Sequence, residues 1–115
     1  MKGVGSEMKV CNYRDVSPDR EVPGVALHLV IAAQDGAPHF AMRVFEVEPG
    51  ASTPFHSHWW EHEVFILAGR GKLRGNEREW ELTPGDVVFV PGDEQHCFTN
   101  TASEVLRFIC CIPHH

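Results

Sequence analysis

The segment PGASTPFHSHWWEHEVFILAG, residues 49–69, sets His56, His58 and His62 close together and runs straight into an apolar, strand-like stretch. Imidazole is the side chain most often used to ligate metals, and borderline divalent ions favour it. In an extended strand, side chains two residues apart point the same way, so His56 and His58 can aim at one ion. His62 keeps that even parity if the extension is unbroken, and Glu61 and Glu63 then face the other side. A fourth candidate, His96, stands downstream in PGDEQHCFTN, residues 91–100. The pattern points to a buried mononuclear metal site.

The rest of the chain bounds what can surround such a site. At 115 residues it suits one domain that can bury a core without disulfide staples. Residues 1–8 read as a flexible tail and residues 9–115 as the domain. A formal charge of -6, with ten scattered Lys and Arg, excludes a nucleic-acid footprint, which needs clustered basic residues. No apolar run is long enough to span a membrane, and the start MKGVGSEMKV lacks the apolar core of a secretory signal. Cys11, Cys97, Cys110 and Cys111 show no CxxC spacing, which fits free thiols in a reducing compartment. A cytoplasmic protein is expected.

The punctuation is that of short strands. Val25 to Ile31 and Phe40 to Val47 alternate apolar residues and flank the turn residues Gln34 to Pro38. Strands are expected at Glu63–Ala68, Lys72–Arg74, Arg78–Leu82, Val87–Val90, Glu94–Asn100 and Glu104–Ile112, with a hairpin turn at Gly75-Asn76. No segment shows sustained helical periodicity. Strands this short, broken by Gly and Pro, imply an all-β sandwich or barrel.

Two spaced motifs then resemble those of the cupins, a family of small double-stranded β-helix or jelly-roll barrels. The family's first motif is G(X)5HXH(X)3–4E(X)6G; Gly50, His56, His58, His62 and Gly69 follow its spacing, with His where Glu is usual. Its second is G(X)5PXG(X)2H(X)3N; Gly85, Pro91, His96 and Asn100 fit, with Asp93 in place of the middle Gly. An alignment with one more residue after His58 would make Glu63 the ligand instead. The gap to Gly69 and the shared parity favour His62. A lone histidine is more often a core or surface residue than a ligand, but this joint spacing argues for a set. The stretch HSHWWEHEVF resembles single-domain cupins whose metal is held by four histidines. That resemblance implies manganese first among the divalent ions; iron, nickel, copper and zinc also accept imidazole.

Other residues gain meaning from this frame. Arg43 either reaches into the barrel to meet an anionic substrate or is a solvated strand residue. Phe108, Cys110 and Ile112 share one face of the last strand, and His96 and Phe98 share one of theirs. Facing inward, Phe98, Phe108 and Ile112 would wall a substrate pocket, with Cys110 a candidate reactive thiol. Trp59 and Trp60 either cover the site or pack in the core or at a subunit interface. His28, His39, His114 and His115 read as surface residues. Four neutral imidazoles leave the charge of the ion uncompensated, which suits Lewis-acid or redox chemistry. The expected function is a metal-dependent oxygenase acting on a small apolar or enolic molecule in the barrel. The alternative is a non-catalytic small-molecule-binding or sensor protein. An isomerase would need a base, for which only Glu63 or Tyr13 offers itself. A homodimer is expected, through the Val25–Ile31 strand and the Trp pair.

Overall fold

A computed structural model describes residues 7–115, so the first six residues of the expected tail lie outside the described residues. Eight strands follow in order: β1 Val25–Ile31, β2 Phe40–Val47, β3 His62–Ala68, β4 Gly71–Arg74, β5 Glu79–Leu82, β6 Val87–Val90, β7 Cys97–Thr99 and β8 Leu106–Pro113. They form a five-stranded sheet, β1-β2-β8-β3-β6, and a three-stranded sheet, β5-β4-β7. All pairings are antiparallel. The chain is an all-β jelly-roll barrel.

Alternation along the strands decides what faces inward. On β2, Ala41, Phe45 and Val47 are buried on the inner face that Arg43 shares; on β8, Leu106, Phe108, Cys110 and Ile112 are. The register sets Arg43 opposite Cys110 and Phe45 opposite Phe108. β3 then aligns Val64 with Cys110 and Ile66 with Phe108 from the other side. Phe108 stacks on Phe45 at 5.0 Å and meets Phe98 of the opposing sheet at 4.7 Å. Burying a side chain of this size contributes about 1.5–3 kcal/mol, so this aromatic trio is a principal tie between the sheets. Asn100 is also fully buried. Its Nδ2 donates to the carbonyls of Val47 and Glu104, and its Oδ1 accepts from Ala102 N.

The sequence of residues 13–18 reads as a short extended piece broken by Pro18, and the structure departs from that. Tyr13–Asp15 makes a 3-10 turn capped by Asn12, and it lies against the outer face of β1 and β2. There Tyr13 Oη donates to Glu46 at 2.7 Å, Arg107 Nε bonds the same carboxylate oxygen at 3.1 Å, and Tyr13 meets His28 edge-on. His28, expected at the surface, is therefore buried, with Nδ1 donating to Val16 O at 2.7 Å. No helix among the described residues is long and apolar enough to cross a membrane.

Candidate metal centre and substrate cavity

Backbone pairing brings the distant histidines together. His56 and His96 face each other across an isolated bridge with reciprocal hydrogen bonds of 3.2 and 2.9 Å. The chain bends at Trp59-Trp60 and returns to open β3 with His62, whose neighbour Glu63 points outward. The 57–61 and 91–95 loops touch backbone to backbone: Asp93 N donates to His58 O, and a Cβ on Gly92 would lie 2.3 Å from Trp59 O. Asp93 itself takes φ 68, a left-handed conformation that a glycine adopts freely and an aspartate tolerates.

The four imidazoles close a cycle. Ring centres lie 4.3 Å apart for His56–His58, 5.5 Å for His58–His62, 4.8 Å for His62–His96 and 5.6 Å for His96–His56. Adjacent imidazoles on one ion, with metal–nitrogen bonds of about 2.1 Å, have centres roughly 4.5–5.5 Å apart. Yet among the described residues no three His, Cys, Asp or Glu side chains form a ready-made ligand set. Rotation about χ2 re-aims the ring nitrogens with the centre almost still, so rings at this spacing can turn their nitrogens toward a common point.

The chemistry of the donors fits a cation as well. His62 is 5% exposed, and its buried Nδ1 has no hydrogen-bond partner. Burial, helped by the positive fields of His96 and Arg43, lowers its pKa to about 3. His56 and His58 are held below the ordinary imidazole range by the same burial and by neighbouring histidines. All three are thus neutral at pH 7 with lone pairs to give. His96 Nδ1 contacts Glu94 O at 2.9 Å; a carbonyl can only accept, so Nδ1 carries a proton and the neutral ring would offer its lone pair at Nε2. Trp60 stacks on His58 at 4.3 Å and on His115 at 3.6 Å, bracing one wall of the cycle. Trp59 stays exposed.

These histidines line a cavity of about 200 Å³ shared with Arg43, Phe45, Phe98, Phe108 and Cys110. Arg43 Nη2 donates to Cys110 Sγ at 2.9 Å, the guanidinium lies 5.0 Å from the Phe45 ring centre, and Nε is buried without a partner. No carboxylate pairs with it among the described residues. Burial raises the Cys110 thiol despite Arg43, so it stands as a protonated wall group rather than a thiolate nucleophile. Ile112 needs correction: it packs in the core and borders a separate hollow beside His39 and Phe40, because one more β-period past Cys110 leaves the cavity behind. Glu63 and Tyr13 do not line the cavity either. Two carboxylates that sequence reasoning missed do line it, Asp19 and Glu21. They arrive because segment 19 bridges Leu27 on β1, a non-local pairing with no local signature.

Comparison with known proteins identifies the family of the fold. The structure of the polyketide cyclase RemF from Streptomyces resistomycificus superposes with a TM-score of 0.86 at 33% identity, covering 93% of this chain and 80% of that one. Protein SchB of Streptomyces halstedii is 27% identical over 104 residues, 90% of this chain and 75% of that protein. An uncharacterized protein of Methanocaldococcus jannaschii is 30% identical over 66 residues, 56% of this chain and only 53% of its own length. Residues 43–112 match the Cupin domain family, and the chain belongs to it.

Proposed function

We propose that this cupin is a metal-dependent enzyme acting on an enolisable carbonyl compound, with one ring or chain end of the substrate inside the barrel and ring closure as its reaction. The observation that carries this reading is the convergence of four imidazoles and a guanidinium without a carboxylate partner on one cavity shared with Phe45, Phe98 and Phe108. The similarity to a polyketide cyclase over nearly the whole chain supports the substrate class. At about 200 Å³ the cavity is smaller than the ~300–1,000 Å³ of drug-sized pockets, so a longer substrate would project through the mouth.

His56, His58, His62 and His96 would hold the ion, with Mn(II) the first candidate and Fe, Ni, Cu or Zn as alternatives. A bound divalent cation supplies Lewis-acid polarisation of a carbonyl. The chain's own groups do the rest. Arg43 donates hydrogen bonds to the oxygen that gains negative charge, in surroundings where such a bond is strong. Phe45, Phe98 and Phe108 exclude water and give a flat ring a surface to lie on. The oxygenase expected from sequence shares this substrate class and is a second reading, favoured only by a donor set that accepts redox-active ions such as iron as readily as zinc. The four cysteines are unpaired, which supports the cytoplasm as the site of action.

Hydrogen–deuterium exchange at the central carbon of acetylacetone and of methyl benzoylacetate, followed by NMR, tests the enolisation that the proposed ring closure requires. Metal content by elemental mass spectrometry is measured alongside. The expected result is about one ion per chain and accelerated exchange that is lost in His62→Ala. Full metal loading with no acceleration across such dicarbonyls refutes the reading. Dioxygen uptake with the same substrates would move the assignment to an oxygenase.

A further inference from the structure

The cavity lining carries charge of both signs: the half-buried Arg43 beside the imidazoles, and the exposed Asp19 and Glu21. Asp19 is fixed there: its N–H donates to Leu27 O at 2.8 Å, its carbonyl accepts from Leu27 N at 2.9 Å, and its Oδ1 accepts from Glu21 N at 2.9 Å. No cationic side chain pairs with either carboxylate among the described residues. Two residues of the same lining, His62 and Arg43, carry buried polar atoms, Nδ1 and Nε, without hydrogen-bond partners.

We propose that Asp19 and Glu21 form an outer subsite that reads the far end of the ligand, accepting a hydroxyl- or ammonium-bearing substituent and rejecting a second anionic group. The inference rests on the cavity reading above, because Arg43 must anchor the inner end. It goes further by making the preferred ligand bipolar, an enolate or carboxylate inward and a hydrogen-bond donor outward. Phosphorylated or dicarboxylate compounds would place their second charge against Asp19 and Glu21. Exposed charge pairs act weakly and are screened by salt, so this subsite sorts ligands by a few-fold rather than holding them.

The test uses three ligands of one shape: para-aminomethylbenzoate, para-methylbenzoate and terephthalate. Each presents a carboxylate to Arg43 and differs only at the far end. Binding to the protein as purified is measured by isothermal titration calorimetry at low and high salt. The Asp19→Asn/Glu21→Gln double variant is measured beside it; asparagine retains the Oδ1 that accepts from Glu21 N, so the local turn survives. The aminomethyl compound is expected to bind about 3- to 10-fold tighter than the methyl one, and terephthalate about as much weaker. The spread should collapse in the variant and shrink at high salt. Equal binding of the three, or an unchanged ranking in the variant, overturns the outer subsite while leaving the Arg43 anchor standing. Failure of all three to bind removes the anchor, and the outer subsite with it.

Discussion

Replacing His62 by Leu separates a metal-site histidine from a structural one. In the metal-free protein, His62 is 5% exposed and its buried Nδ1 is unpartnered, an arrangement that costs about 1–3 kcal/mol. Leucine has similar bulk and no polar atom, so the metal-free variant should be as stable as wild type or up to about 2 kcal/mol more stable. In a domain of this size that is a rise in Tm of roughly 5–10 °C. Acid widens the gap. The imidazole takes a proton in the unfolded chain below its ordinary 6.5 but in the folded chain only near 3. Wild type therefore loses stability as pH falls through that window, by about 2 kcal/mol at pH 5, and the variant does not. Metal reverses the order, since an ion present at 100 times its Kd adds about 2.7 kcal/mol to wild type and much less to a protein lacking one ligand. Thermal unfolding with chelator and with Mn(II) or Zn(II), at pH 7.5 and pH 5, reads all three effects. A variant destabilised by several kcal/mol without metal, yet still stabilised by added ion as strongly as wild type, would show that His62 is a packing residue and the four-histidine reading is wrong.

Arg43→Met keeps the stem and removes the guanidinium, so binding of benzoate, measured calorimetrically, should weaken about 10-fold or more; unchanged affinity would place the anion elsewhere. Phe108→Ala removes the ring between Phe45 and Phe98 and should cost about 3–5 kcal/mol in urea unfolding, whereas a loss under about 1 kcal/mol would contradict the packing described. Glu46→Gln should destabilise by about 1 kcal/mol at neutral pH: burial raises the Glu46 pKa, but the Tyr13 and Arg107 hydrogen bonds outweigh it and the net shift is downward. That advantage is present above the ordinary value of 4.5 and disappears as pH falls below it through the folded value, so wild-type and variant Tm should converge in acid; a constant gap would refute the linkage. The homodimer expected through the Val25–Ile31 strand and the Trp pair should appear in light scattering as twice 12.9 kDa and dissociate in Trp59→Glu, whose parent side chain is 65% exposed; a wild-type monomer would sink it, and dissociation only in Phe89→Glu would move the interface to the exposed Phe65, Val87 and Phe89.

Where a strand is bounded by turn residues and half-buried, its own alternation determines its limits, which is why Val25–Ile31 and Phe40–Val47 match the sequence reading residue for residue. The last strand begins at Leu106 rather than Glu104 because Asn100 Nδ2 captures Glu104 O and closes a loop first. That bond spans the loop and leaves no mark on hydropathy. The histidine site was legible for a partly different reason from the one that local parity suggests. Parity does separate His62 from Glu63 on β3, but the backbone bends between His58 and His62, and it is the His56–His96 bridge that makes the cluster. A motif can therefore pick out histidines that the fold brings together while the extension argument for them is incomplete. Asp19, Glu21 and buried His28 had no such motif. Each owes its place to the first segment laying itself against β1, Asp19 through backbone bonds to Leu27 and His28 through Val16 O. The Asp19–Leu27 pair is backbone to backbone and nearly blind to side-chain identity, while the His28 bond joins a ring to a carbonyl twelve residues away. The histidine side of the cavity is thus carried by spaced residues that a sequence displays, while Asp19 and Glu21 are carried to it by a docked first segment that leaves no such mark.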